Sequence, residues 1–540
     1  MALKYLYVPS GYKSSTAYGV LPNDSSADFD QFERNTFATR TNKDGLLETH
    51  QTFGNNLVTN GDFATDSDWS LASGITISGG KANFNNTANG DGLQQNNILT
   101  TGKRYEVTFT ISDYEKGSIK VRYPFIAPSI NSDGVHTVTG IAVYSSGSDD
   151  LRFQVTGETT LSIDDVSVKE IALNIPRIDY LDGGCPSLLL EPLRTNQCRA
   201  SEDVMAWEIN GGADRASKQV ISPDGSKSAD LVTTDSVNAG VFSLEMTTIS
   251  NTVYSTSVYA KHISGGSKLR FGITSNLHFD SGDKIIVVDL SDGSIVSNQL
   301  GGVAEPKVID VGNGWYRLMI EHSNVVSGGG GGAKFICYAE EGSFSQFSVW
   351  GGQIEVGGYT SSYIPNINSA SGGQTTRNRD KGNFAGDFDV LKNDSGVFEV
   401  RFKAFETGSS KHVIALTSDG TVSEWNRIYI GYGYSAGVVK PYLALYHGGS
   451  EDDEASYVDM PSSFNIFDYN TYKFKYEAGN NQLKINGKLV TINNTDLSEL
   501  YFLFGQQLKR ISFNEITTST SSVFYGGVKH IKIYDSITDF

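Results

Sequence analysis

Ile285-Ile286-Val287-Val288-Asp289-Leu290 runs through Ser291-Asp292-Gly293-Ser294 into Ile295-Val296. β-Branched runs pack well on a pleated surface, and Asp-Gly between them tolerates the positive φ of a tight turn, so the stretch predicts a β-hairpin. Working outward, Tyr105-Glu106-Val107-Thr108-Phe109-Thr110-Ile111 alternates so that every second side chain faces a core. Gly314-Trp315-Tyr316-Arg317-Leu318 predicts a core strand with its indole buried. Between Tyr472 and Val490, the turn signals Gly479-Asn480-Asn481 and Asn486-Gly487 predict three short antiparallel strands. Hydrophobic residues make up 38% of the chain, with 58 Gly, 27 Tyr and 28 Phe, as expected of many short strands joined by polar turns. The predicted class is all-β.

A length of 540 residues exceeds one domain and suggests about three or four, at roughly 150 residues each. Lys plus Arg at 43 against Asp plus Glu at 61 leaves a net charge of -18, which repels phosphate backbones and anionic membrane surfaces and argues against a nucleic-acid partner. The same charge keeps a Gly-rich β protein soluble. Cys185, Cys198 and Cys337 are too few and scattered for a disulfide framework or a C-x-x-C site, so folding in a reducing cytoplasm is expected. Met1 to Pro9 lacks a basic region followed by an apolar core, and no stretch approaches the ~20 apolar residues of a span, so neither a cleaved signal nor membrane insertion is expected.

Two further stretches read as one interrupted cassette. Ile175-Pro176-Arg177-Ile178-Asp179-Tyr180 leads to Gly183-Gly184-Cys185-Pro186-Ser187-Leu188-Leu189-Leu190-Glu191-Pro192 and Arg194-Thr195-Asn196. Trp350-Gly351-Gly352-Gln353-Ile354-Glu355-Val356-Gly357 is followed by Ser361-Ser362-Tyr363-Ile364-Pro365 and Thr376-Arg377-Asn378-Arg379-Asp380. Together these resemble the modular fibre and appendage proteins of tailed bacteriophages, in which the first segment precedes a β-sandwich and the second closes it. Phe37 to Glu48 resembles the family's lead-in, which normally runs almost directly into the first segment. Here about a domain's worth of chain separates them, which suggests an inserted module. The resemblance implies a non-enzymatic virion structural protein, a head or tail fibre or decoration appendage assembled in the host cytoplasm and displayed on the virion surface. It further implies a homotrimer that binds bacterial or environmental glycans. Alternatives are a polysaccharide depolymerase or esterase, and a bacterial surface adhesin.

The expected architecture is an N-terminal arm, two jelly-roll sandwiches and a C-terminal concanavalin A-like sandwich. Residues 1–55, rich in Ser, Thr, Asn and Asp, look unable to form a core and need a partner: other virion proteins, an oligomer, or the chain's own first sandwich. Residues 56–172, opening Asn56-Leu57-Val58-Thr59-Asn60-Gly61-Asp62-Phe63 and closing Leu161-Ser162-Ile163-Asp164-Asp165-Val166-Ser167-Val168, resemble galactose-binding-like jelly rolls. In that superfamily a calcium ion often bridges the first and last strands, so Asp62 and Asp165 are candidate ligands of a structural calcium, or else turn caps. Residues 173–200 form a connector, 201–366 a second jelly roll and 367–380 a linker. Residues 381–540 resemble a concanavalin A-like, laminin-G-like sandwich, carried by Gly396 to Phe402, Tyr472 to Val490 and Val528 to Asp535. Gly328 to Gly332 is expected to be a mobile loop.

Gly433-Tyr434-Ser435-Ala436-Gly437 matches a nucleophile elbow formally, but a strand-like, Pro-containing stretch follows where a helix is required. No E-x-D-x-x-E strand occurs in 381–540, and Glu451-Asp452-Asp453-Glu454 reads as a solvated loop. No catalytic residue is assigned. Sugars are held by aromatic faces ringed by amides and carboxylates. The candidates are Trp425 with its neighbour Asn426, Tyr432 from the run Ile428 to Tyr434, and Trp69, with Trp207 a further aromatic; for each single ring the sandwich-core reading outweighs the sugar platform, and Trp425 is the best exposed candidate. Trp315 and Trp350 are assigned to the core.

Overall fold

The computed structural model describes residues 3–9, 12–13, 16–17, 29–123, 127–142, 149–274, 284–300, 306–321, 332–342, 344–366, 373–385, 395–407, 411–417, 427–436, 438–446, 454–457, 464–477, 480–492, 510–512, 523–534 and 536–540, and all counts refer to these. The fold is all-β. Helical structure among the described residues consists of 3-10 turns at Val204–Ala206 and Ile537–Asp539. Contacts divide the chain into two compact units, Gln51–Leu173 and Met1–His50 with Asn174–Phe540.

In the Gln51–Leu173 unit two long strands, Arg104–Tyr123 and Leu151–Ala172, pair antiparallel from Tyr105↔Glu170 to Tyr123↔Arg152. Straight, each would run over ~60 Å at about 3.3 Å per residue, too long for one small sandwich, so they must bend. The register slips between Ser112, Lys116 and Ser118, beside Asp113 (φ 56) and Gly117 (φ 78). A Cβ on Gly117 would lie 2.7 Å from the Glu158 carbonyl and from Thr159 Cα, so only glycine lets the chain turn over there. Asp165 (φ 51) is a bulge. It switches the parity of inward positions, so that Leu161 and Ile163 before it and Val166 and Val168 after it all enter one core.

The second unit holds two sandwiches. In the first, a seven-stranded sheet that includes Gly332–Ala339, Lys268–Thr274 and Lys284–Asp289 packs on a six-stranded sheet that includes Ala229–Thr234, Ser345–Val356, Tyr254–Gly265 and Trp315–Glu321. Phe271 and Phe335 from one sheet meet Val258, Leu318 and Ile354 from the other. The predicted hairpin is present, with Val288↔Ile295 paired and Gly293 at φ 78. Its first strand is buried, whereas Ile295 and Val296 are exposed because they lie on the sheet edge. Trp315 and Trp350 are both buried, on the other face of the six-stranded sheet with Tyr259 and Tyr363. The double glycine after Trp350 has a steric cause: Gly351 takes φ 66, and a Cβ on Gly352 would sit 2.6 Å from the Phe335 ring.

The other sandwich pairs an eight-stranded sheet with a nine-stranded one. The eight-stranded sheet runs Arg177–Asp179, Ser187–Leu190, Gly526–Tyr534, Ser395–Ala404, Asn470–Glu477, Gln482–Ile485, Lys488–Val490, the last three being the predicted triple strand. Leu3–Tyr7 also pairs with Gly526–Tyr534, and in the nine-stranded sheet Phe29–Glu33 pairs with Lys381–Ala385. Tyr7 and Phe32 enter the same core as Phe398, Ile430 and Phe474. The N-terminal segment therefore finds a partner in the C-terminal sandwich of its own chain, which the sequence reading did not anticipate. Gly433 to Ala436 lies in a hairpin, Ser435↔Val438, and not in a strand-turn-helix elbow.

Candidate binding cleft

The cassette residues converge on a buried polar cluster. Asp380 receives Arg34 Nη1 at 3.1 Å, Arg177 Nη2, and the Glu191 N–H at 2.9 Å. Glu191 pairs with Arg177 at 2.7 Å and Arg377 at 2.8 Å, and accepts the Ser362 N–H and O–H at 2.7 and 2.6 Å. These five ionic side chains are 0–3% exposed. Burial alone would raise the Glu191 carboxyl, but Arg377, Arg177 and Ser362 outweigh it and hold it at about 2. His50 donates to the Pro176 carbonyl at 2.8 Å; burial, with Arg40 and Arg34 nearby, pushes it down to about 2, so it stays neutral. Three guanidiniums face two carboxylates, and the Thr36, Thr39 and Pro192 carbonyls accept further N–H groups. Buried ion pairs seldom add net stability, but they punish misplacement, so this cluster fixes how the N-terminal segment, connector and linker meet.

Beside the cluster lies a cleft of about 1090 Å³ between the connector, the first sandwich and the start of the second. Its apolar wall includes Leu47, Ile309, Met319, Phe405 and Phe467, the last half exposed. Most of its charges are paired in place. Lys403 pairs with Asp182 at 2.5 Å, Lys307 with Glu321 at 2.9 Å, Arg40 with Glu48 at 2.7 Å and Lys411 with Glu406 at 3.1 Å. Asp179 accepts the Thr41 and Leu181 N–H groups, although burial lifts its carboxyl above the usual range. Tyr359 lies under the Arg194 guanidinium at 4.9 Å and against Phe405 at 5.5 Å. The Tyr359 hydroxyl and Thr360 Oγ1 are buried without a partner. A cleft with apolar walls and mostly paired charges suits an uncharged or weakly charged ligand.

The residues singled out from sequence lie elsewhere. Trp425 and Asn426 fall outside the described residues, as does most of the expected loop at Gly328 to Gly332. Tyr432 is corrected to the core: it shares its face with Ile428 and Ile430, packs near Phe402 and Phe524, and donates its hydroxyl to the Glu406 carbonyl at 2.8 Å. In that run Tyr434 is the exposed tyrosine: it shares the parity of Tyr432, but lies at the hairpin end of the strand, beyond the core. Trp69 is also corrected to the core. It packs on Phe63 at 5.3 Å and donates its indole N–H to the Asn60 carbonyl at 3.0 Å, leaving no free face or donor. Trp207 is buried against Phe335. Asp62 and Asp165 flank the Val166 N–H to Gly61 carbonyl bond, but Asp62 accepts the Ala64 N–H and Asp165 the Thr110 hydroxyl. No group of three or more His, Cys, Asp or Glu side chains placed to hold a metal occurs among the described residues. The cleft was missed because its lining comes from eight separate stretches of chain, and the cassette residues among them signalled architecture and not a binding surface.

No protein-family model and no curated protein matches the chain. Similar solved structures include the CBM40 of Ruminococcus gnavus IT-sialidase bound to alpha2,3 sialyllactose, 14% identical over 29% of this chain and 86% of that one, with a TM-score of 0.23. The CBM22-1–CBM22-2 tandem of Paenibacillus barcinonensis Xyn10C is 11% identical over 56% and 98%, with a TM-score of 0.24. LamAcat of Zobellia galactanivorans is 13% identical over 31% and 72%, with a TM-score of 0.19. At these scores the likeness carries no argument about function.

Proposed function

We propose that the chain is a non-catalytic appendage protein of a tailed-phage particle that binds a glycan in the cleft beside its cassette cluster. The appendage part rests on the resemblance of the cassette. The binding part rests on one observation: a 1090 Å³ cleft with apolar walls whose charges are mostly paired within the protein. The carboxylates Asp182, Glu191, Glu321 and Glu406 each sit on a cation, which favours holding a sugar over protonating one.

Isothermal titration of the full chain against neutral oligosaccharides tests the reading. Phe467→Ala removes a half-exposed ring from the cleft wall, and a roughly tenfold loss of affinity with an unchanged melting temperature is the expected result. No binding by the wild type, or equal binding by the variant, overturns the cleft assignment. Release of reducing ends from the bound sugar would favour the depolymerase alternative. Light scattering addresses assembly, where the appendage reading expects three times the 58.5 kDa of one chain.

A further inference from the structure

The outer face of the eight-stranded sheet inverts the charge of the molecule. Along Ser395–Ala404, Asn470–Glu477 and Gln482–Ile485 the inward positions are apolar, and the alternate positions carry Arg401, Lys403, Lys473, Lys475 and Lys484. On Gly526–Tyr534 the register slips between Arg401↔His530 and Phe402↔Val528, so Lys529 is an extra residue and both it and His530 face outward, with Lys532 beyond. These seven Lys and Arg side chains face three carboxylates, Asp182, Glu399 and Glu477, among the described residues, in a chain whose net charge is -18.

The cations are held in place. Glu399 receives His530 at 2.9 Å and Lys532 at 2.8 Å, with Lys473 at 3.7 Å. Burial would raise this carboxyl, but those hydrogen bonds keep it at about 2. Among the described residues, Arg401, Lys484 and Lys529 face rings and no carboxylate: Arg401 and Lys529 lie 6.0 and 4.4 Å from Tyr469, and Lys484 lies 4.4 Å from Phe540. Such contacts hold long side chains extended while leaving their charge open to a ligand. Across its four strands the face measures ~14 Å at about 4.8 Å per spacing, so it suits a short run of anionic units. The net charge of -18 repels a nucleic-acid duplex, whereas a short anionic run of a flexible polysaccharide can be confined to this face.

We infer that this face recognises an anionic polysaccharide, with Arg401, Lys484 and Lys529 contacting its carboxylate or sulfate groups. The inference rests on the glycan reading above, but it names an adjoining site, which meets the cleft at Lys403 and Asp182, and a charged ligand class. The test titrates the full chain with polygalacturonate, dextran sulfate, uncharged dextran and a short DNA duplex. The combined variant Arg401→Gln, Lys484→Gln and Lys529→Gln is compared with the wild type. Expected are binding of one or both acidic polymers, weakening as salt rises above about 0.1 M, and a loss of roughly tenfold or more in the variant at unchanged melting temperature. Failure of both acidic polymers to bind, wild-type affinity in the variant, or equal affinity for the duplex overturns the inference. If neutral oligosaccharides still bind the cleft in that case, the glycan reading stands alone; if they do not, both fall.

Discussion

Asp380→Asn tests the central cluster most directly. Asp380 is one of two carboxylates that neutralise Arg34, Arg177 and Arg377, and its carboxylate and that of Glu191 are 0 and 3% exposed. Removing one partner of a buried pair costs about 3–5 kcal/mol, because the remaining charges stay out of water. Asparagine keeps one oxygen for the Glu191 N–H, which places the expected loss near the lower end of that range. For roughly 400 residues melting together, at ~2.1 cal/mol/K per residue, this lowers the melting temperature by about 4 °C. Differential scanning calorimetry reads it, with Lys307→Ala as control. That variant breaks a pair more than half exposed on its lysine side, worth about 0–1 kcal/mol. Glu191→Gln should match Asp380→Asn, and the double variant should lose less than the sum, since both act on the same guanidiniums. If Asp380→Asn melts like the wild type or like the surface control, the cassette cluster does not organise this unit and the reasoning fails.

Three further outcomes are expected. Burial lifts the Glu202 carboxyl to about 7 against the Tyr363 hydrogen bond that opposes it, with Asp224 adding to the rise. The folded chain then binds this proton more tightly than the unfolded chain, whose value is 4.5, so its stabilisation is full below 4.5 and is lost as pH rises through about 7, by ~3 kcal/mol at most. Glu202→Gln should flatten that slope in denaturant midpoints measured on either side of the window; an unchanged slope refutes the assignment. Gly351→Ala forces φ 66 on a side chain whose Cβ meets the Tyr259 ring at 2.9 Å, and a loss of about 1–3 kcal/mol in chemical denaturation is expected. Gly117→Ala meets backbone at 2.7 Å and should destabilise the Gln51–Leu173 unit by a similar ~1–3 kcal/mol, read by exchange protection of its long strands; wild-type protection would show that the bend relaxes.

Local pattern was legible where local physics decides it. Asp292-Gly293 makes its turn because no side chain resists the positive φ, and the alternation through Tyr105 to Ile111 buries Tyr105, Val107, Phe109 and Ile111. Trp315 and Trp350 are buried as expected, but on the face opposite the sandwich core, where Leu47, Ala229 and Tyr363 cover them, and periodicity alone does not specify that. Tyr432 was open to the same test, since Ile428 and Ile430 mark its face as inward, but a tyrosine-rich run draws attention to the rings and away from their parity.

The sequence by itself determined the all-β class, the turn positions and the inward set of most strands, because a period of two and a glycine at positive φ are properties of a few consecutive residues. It did not determine which sheet edge takes Leu3–Tyr7, since strand pairing depends on chain more than 500 residues away. Nor did it determine the charge of any one surface. A net charge of -18 is a sum over the whole chain, whereas the basic face arises only when four strands bring their alternate residues to the same side. The cleft and the buried ion cluster are likewise tertiary: Arg34, Arg177, Glu191, Arg377 and Asp380 can neutralise one another only where separate segments have packed closely enough to exclude water.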